Sequence, residues 1–490
     1  MPLILGFLAG LLSFFPLLAA PKNPFFDVDP EVMYVSNAVA YIHHKQIVYT
    51  DHPGTPYILT IAASFVPFRI WAKYIVHQPF VDWYLLNIDL IFFYSRVLSL
   101  TIFVSAIALL LYGIRKFTRS PLAVLTAWLG LLIYPNMLDY GVRIMPETFS
   151  LLVFSIWAYI FLSYLDRPRM WKLPLLVFVG GLALATKYTN LALVAIPLVA
   201  WPVAKLAKNE RIRPQGFMLL LAIGYFSYFL ATKPINGGNW LYPTQIRWII
   251  NLATHSGLYG TGSPGLDVQG YISTLRSTFQ ALWPYLLILP VVIILVWKER
   301  VRVWQKLIIA VAVIVPLGIF LIFAKFAKLH YQFGNLLVLI LVTVYLLRRY
   351  RLLLLIVALV ALYSLPGIVN RHWLLVEKIE STERLRQFAD THPAESKALW
   401  DWSYSREQAL VWGYTWSGKY YGEELKRLYP RLADMYGYEN LVFRHGCWDQ
   451  AYARDLAIPS IKAANPDEPF DIQKIPGTEM NLITSRHCSE

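Results

Sequence analysis

The chain has 490 residues, of which 57% are hydrophobic and only 15% charged. That balance excludes a soluble globular fold of this length and implies an integral membrane protein. The formal net charge of +14 would suit a nucleic-acid surface, but its placement in short loops between apolar runs argues against nucleic acid as a partner.

Apolar runs recur at residues 3–20, 86–112, 121–135, 148–165, 173–186, 191–203, 217–231, 281–297, 307–326, 336–347 and 352–366. They predict about eleven transmembrane helices. Several fall short of the roughly 20 residues that cross about 30 Å of hydrocarbon, so their ends must borrow aromatic and small polar neighbours. The first run ends in Leu18-Ala19-Ala20, which resembles a signal-peptidase site. No Lys or Arg precedes it and Pro21 follows it, so it is expected to stay as a span.

Immediately after this span comes Phe25-Phe26-Asp27-Val28-Asp29-Pro30-Glu31, three carboxylates at a membrane boundary. Charge that close to hydrocarbon is unfavourable and points to function. Asp29 alone, before Pro30 and an apolar-periodic run with Tyr34, Ala38 and Tyr41, reads as a helix N-cap with proline at the first helical position. That reading leaves Asp27 and Glu31 unexplained, as well as the polar, conformationally fixed turn Asp51-His52-Pro53-Gly54-Thr55-Pro56. Residues 57–71 are apolar enough to imitate a span. Were they to cross, the connection after them would face the cytoplasm without a Lys or Arg, so they are expected to form an interfacial or re-entrant helix.

Five later loops carry Arg115, Lys116 and Arg119; Arg167, Arg169 and Lys172; Lys205, Lys208, Arg211 and Arg213; Lys298, Arg300, Arg302 and Lys306; and Arg348, Arg349 and Arg351. Only Asp166, Glu210 and Glu299 oppose them, and the surplus equals the whole formal +14. The positive-inside rule makes these loops cytoplasmic. The alternate segments, 22–85, 136–147, 187–190, 232–280, 327–335 and the tail, then face outward.

The outward boundaries hold further polar residues. Arg96 lies within the second span, Arg143 and Glu147 precede the fourth, Lys187 and Tyr188 separate the fifth and sixth, and Lys325, Lys328, His330 and Tyr331 sit between the ninth and tenth. Singly, each basic residue reads as a snorkelling anchor. Together they offer cations for a lipid phosphate and carboxylates for an acceptor proton, the two requirements for moving a sugar off a phosphate-linked lipid.

Beyond residue 368 the density of charge becomes that of a soluble segment, and 369–490 are expected to form a small extracytoplasmic α/β domain after a membrane domain of 1–368. Residues 381–389 and 422–435 are expected to be helical, and 399–404 and 441–444 to be strands. Cys447 and Cys488 both lie in this tail, where an oxidising compartment would permit a bridge, two unrelated thiols being the equal alternative.

In order and sidedness, the first-loop acids, the His52-Pro53 turn, Arg96, the Arg143–Glu147 segment, Gly181-Leu182-Ala183-Leu184-Ala185-Thr186-Lys187-Tyr188-Thr189 and Lys328-Leu329-His330-Tyr331 resemble the GT-C polyprenyl-phosphate-sugar glycosyltransferases. The likeness covers roughly residues 1–365 and is strongest to the group containing protein O-mannosyltransferases and lipid A aminoarabinose transferases. It implies a mostly α, polytopic GT-C-like fold and inverting transfer from a polyprenyl-phosphate-sugar donor in the bilayer to a glycan, lipid or protein acceptor. It further implies that Asp29 is the general base, with Asp27 and Glu31 as supporting or metal-binding alternatives, and that Glu147 orients a substrate. His52, Arg96, Arg143, Lys187, Tyr188, Lys325, Lys328, His330 and Tyr331 would bind the donor or its leaving phosphate. The family's first-loop motif is commonly Asp-Glu followed by an aromatic, whereas here it is Asp27-Val28-Asp29-Pro30-Glu31 with Tyr34, so the base stays open among the three acids. A metal-free reaction is favoured over a divalent ion on Asp27 and Asp29. The competing class, a transporter or lipid-linked oligosaccharide flippase, would call for inverted repeats and ionisable groups at mid-membrane, and neither is visible.

Overall fold

A computed structural model describes residues 1–19, 28–48, 54–134, 136–207, 209–236, 250–251, 254–255, 268–298, 303–323, 332–392, 397–399, 406–429, 450–464 and 469–485. Each of the eleven apolar runs lies on a helix. Seven described helices are long and apolar enough to cross a membrane, and four shorter apolar ones, Pro2–Leu18, Pro121–Leu132, Lys172–Thr186 and Phe333–Leu347, accompany them. In lipid every backbone donor and acceptor must be satisfied within the segment, which is why these runs are helical. The stretch after the His52-Pro53 turn is helical over Thr55–Trp71 and continues as a π-helix over Ala72–Val76. By length and composition Thr55–Val76 is one of the seven.

The chain divides into two compact units. The first contains Met1–Phe14, Thr50–Tyr57 and Ser99–His372. Its centre is Phe333–Leu347, a helix buried along every residue, as a helix apolar all round must be. Around it pack Pro121–Leu132, Pro146–Asp166, Val268–Lys298 and Val303–Phe323. The Lys172–Thr186 helix is held against Pro146–Asp166, Leu191–Leu206 and Pro214–Asn236. Its paired glycines allow the close approach. A Cβ at Gly180 would come within 2.6 Å of the Leu193 carbonyl oxygen, and one at Gly181 would collide with the Gly224 carbonyl. Helices in lipid gain little from burying apolar surface, so such small-residue contacts carry much of their association.

The second unit contains Phe15–Tyr49, Ile58–Leu98 and Trp373–Glu490. Here the Val28–Ile42 helix packs on Arg406–Trp416. The contact is close at Gly413, where an added Cβ would lie 3.2 Å from Val32 Cγ2. Asn37 stitches it by donating to the carbonyls of Met33 and Trp416 at 2.8 and 2.7 Å while accepting from the Val48 amide at 3.0 Å. The Phe80–Leu86 helix is tied to the tail by Arg427 on Asp82 at 2.5 Å and by Tyr429 on the Leu85 carbonyl at 3.0 Å.

The tail is α/β. Strands β1 (Lys397–Leu399), β2 (Gln450–Arg454), β3 (Phe470–Lys474) and β4 (Met480–Ser485) form a sheet in the order β1-β2-β4-β3, with β1 parallel to β2 and the other pairs antiparallel. Opposite residues alternate between two faces: Tyr452 and Leu482 pack with Leu385, and Ala453 and Ile483 with Ile461. The 381–389 helix is part of one long element, Arg351–Thr391, that runs on through Pro366, where the apolar run was expected to end. A proline costs this helix one backbone bond without stopping it. The helix expected over 422–435 is described as Gly422–Leu428. The strand Lys397–Leu399 ends on the first residue of the expected 399–404, whose other residues lie outside the described residues, as do 441–444, Cys447 and Cys488.

Candidate active site

The first-loop acids fall at the start of the Val28–Ile42 helix. Because this helix begins at Val28, Asp29 sits inside its first turn and is not the residue that caps it. Two residues on, Glu31 is fully buried and both its oxygens accept from Arg96. The Arg96 Nη1 to Glu31 Oε1 distance is 2.8 Å, and Nη2 bonds Oε2. A two-pronged guanidinium–carboxylate pair is among the strongest polar contacts a chain can build, and it fixes orientation as well as charge. Its members lie 65 positions apart. The Arg96 cation expected to face the donor phosphate is thus held on Glu31.

The first unit holds a second buried pair, Lys187 with Glu147. Glu147 stands in the first turn of Pro146–Asp166, where a carboxylate gains from the helix dipole. Lys187 follows the last residue of Lys172–Thr186, with extended backbone. The two side chains are 1% and 2% exposed. Lys187 engages Oε1 of Glu147, whereas Oε2 is buried with no hydrogen-bond partner among the described residues. The turn after Lys187, Tyr188–Asn190, is buried and anchored by Asn190, which donates to Ser150 Oγ and the Ala183 carbonyl at 3.0 Å each. From the His52-Pro53 turn, Gly54, at φ +50°, donates its amide to the Thr186 carbonyl at 3.1 Å. That bond places Gly54 beside Lys187.

Tyr134 and Tyr140 flank Phe333 edge-on, with ring centroids 5.4 and 5.5 Å away. Burial pushes the Tyr140 phenol well above its ordinary range, and the Glu147 carboxylate pushes the same way, so it stays a neutral hydroxyl. Arg143 lies 3.9 Å from Asp139, one helical turn back. Asp139 also bonds His372 Nδ1 at 2.6 Å, and His372 Nε2 meets the Ser13 carbonyl at 2.9 Å.

Of the residues expected from sequence, the structure thus joins Glu31 with Arg96, joins Glu147 with Lys187 beside buried Tyr188, and sets Arg143 on Asp139. Asp27, His52, Lys325, Lys328, His330, Tyr331 and the Asp29 side chain lie outside the described residues. Tyr134, Tyr140, Asp139 and His372 were not anticipated. Asp139 and Arg143 are spaced for one helical face, a signal that was present. Nothing local marks His372, whose partners are 233 and 359 positions away. Among the described residues no three His, Cys, Asp or Glu side chains gather as a metal site requires.

No protein-family model matches the chain, and neither does any curated protein. Among solved structures, it resembles ArnT from Cupriavidus metallidurans bound to undecaprenyl phosphate, with 13% identity and a TM-score of 0.55 over 98% of this chain and 97% of that one. It resembles the same protein in the apo state with 12% identity and a TM-score of 0.57, over 99% and 98%. A likeness spanning both chains at so low an identity speaks for architecture: this integral membrane protein has an ArnT-like fold.

Proposed function

We propose that the chain is a glycosyltransferase moving a sugar from a polyprenyl-phosphate donor to a glycan, lipid or protein acceptor at the outer face of the inner (plasma) membrane. The observation that carries this reading is the match, over nearly its whole length, to a structure holding undecaprenyl phosphate. Its buried carboxylate–cation pairs agree with it, since ionisable groups this deep in a membrane protein are costly and usually functional. In the reaction the acceptor hydroxyl attacks the anomeric carbon, a first-loop carboxylate, Asp29, takes its proton, and the lipid phosphate leaves with the electron pair of the broken C–O bond. Attack opposite the leaving group inverts the sugar. The phosphate gains charge as it departs, so fixed cations (Arg143, Lys325, Lys328 and a Lys187 aligned by Glu147) stabilise the transition state more than the ground state. Cations built into the chain take the part a divalent metal would play. Residues 1–368 carry this chemistry, and 369–490 lie outside the membrane.

The test is transfer from undecaprenyl-phosphate-linked sugars by the purified protein in lipid, with and without a chelator. Product formed equally in both supports the reading; a protein that turns over none of the donors it binds would remove it, and loss with chelator would restore the metal. Sidedness has its own measurement. With Ser381→Cys in the long helix of the tail and Ala207→Cys in a basic loop, an impermeant thiol reagent added to intact cells should label the first alone. External labelling of Ala207→Cys would reverse the topology.

A further inference from the structure

Among the polar atoms of the first unit that are buried with no hydrogen-bond partner among the described residues are Glu147 Oε2, the Tyr140 hydroxyl, Thr189 Oγ1 and Asn335 Oδ1. Their residues are 1%, 2%, 2% and 0% exposed. Orphaned buried polar atoms are rare, and each costs the fold free energy that needs an offset. These four are not scattered. Lys187, two residues before Thr189, holds Glu147. Thr148 donates to the Tyr140 carbonyl, tying the Met137–Val142 helix to the residue after Glu147. Gly334, next to Asn335, is packed so tightly on Asn190 that a Cβ there would lie 2.5 Å from the Asn190 Oδ1. Phe333 in turn touches the Tyr140 ring. Three stretches far apart in sequence, 137–148, 187–190 and 333–335, are thus fastened together, and they carry the four unsatisfied atoms among them.

Their chemistry is mixed in a telling way. Glu147 and Asn335 offer oxygens that only accept, whereas the Tyr140 and Thr189 hydroxyls both donate and accept. Apolar ring surface from Phe333 and Tyr134 stands beside them. Acceptors, hydroxyls and aromatic faces together suit a ligand that is neutral, donates several hydrogen bonds and has an apolar ring face. Glu147 Oε2 and Asn335 Oδ1 have no hydrogen to offer an anion.

We propose that Glu147, Tyr140, Thr189 and Asn335 form a subsite that reads the hydroxyl groups of the donor's sugar ring, as distinct from its phosphate. This rests on the glycosyltransferase reading above and names which residues would select the sugar. A site that hydrogen-bonds a substrate hydroxyl discriminates against analogues lacking it, because its own buried groups are then left unpaired.

The test uses Tyr140→Phe and Thr189→Val, which remove one hydroxyl each at nearly constant shape. Binding to the full-length protein in lipid nanodiscs is measured for undecaprenyl phosphate alone and for undecaprenyl phosphate bearing a hexose or a 4-amino-pentose. Each variant should weaken binding of the preferred sugar-bearing lipid about tenfold, the equivalent of one hydrogen bond, and leave undecaprenyl phosphate unchanged. Thermal stability should hold or rise, since an unsatisfied buried group has been removed. Equal loss for the bare and sugar-bearing lipids, or no loss for either, overturns the subsite and leaves ordered water as the partner of these atoms. A wild-type protein that binds every sugar-bearing lipid no better than undecaprenyl phosphate also overturns it. One that binds none of the lipids removes the donor class itself.

Discussion

Arg96→Met should destabilise the protein by about 3 to 5 kcal/mol, the usual cost of leaving one member of a buried ion pair behind. Glu31 is fully buried and both its oxygens accept from Arg96. With the guanidinium gone, its carboxylate loses that counter-charge and stays ionised at greater cost or picks up a proton. The double variant Glu31→Gln with Arg96→Met removes both charges, and should recover most of the loss, since a buried pair replaced by neutral groups of similar volume is often close to neutral in stability. Thermal unfolding of the wild type, both single variants and the double variant in one detergent is the measurement. Additive losses in the double variant would mean the pair is not the stabilising unit. The same physics alters what Lys187→Ala can report: from sequence it reads as a removable phosphate contact, but with Glu147 buried beside it the change should lower stability as well as donor use.

Asp29→Asn should lower sugar transfer by about a hundredfold or more, the range for losing a general base. Stability should change little. Asp29 is in the first turn of Val28–Ile42, where trading a carboxylate for an amide gives up about 0.3 to 1 kcal/mol of dipole interaction. Asp27→Asn and Glu31→Gln are the comparison, and the structure separates them in advance. Glu31→Gln removes the negative charge that Arg96 pairs with, so its loss of transfer should arrive with a lower melting temperature, whereas a true base variant loses turnover while melting as the wild type does. Near-normal turnover in Asp29→Asn would pass the role to Asp27.

The sequence by itself determined the class and the helices. Apolar runs at residues 148–165 and 336–347 are enough to dictate helix, because lipid offers the backbone no other partner. The first-loop acids and the outward Lys187 stood out because charge is rare beside hydrocarbon. The three strands after residue 449 were illegible: Gln450-Ala451-Tyr452-Ala453-Arg454 is too short for its alternation to decide, and it becomes a strand only because β1 and β4 bracket it. Helix ends were equally local guesses, and Pro366 does not end the helix it was expected to end. Above all, the partners of the charged residues were decided by tertiary structure. Arg96 looked like a phosphate ligand and is bound to Glu31; Lys187 looked like one too and is buried on Glu147; Tyr140, Thr189 and Asn335 carried no signal in the sequence, and packing buries each of them. Sequence reports which charges a membrane protein tolerates, but an ion pair is a relation between distant residues, and only the packing of helices such as Lys172–Thr186, brought close by Gly180 and Gly181, settles which two meet.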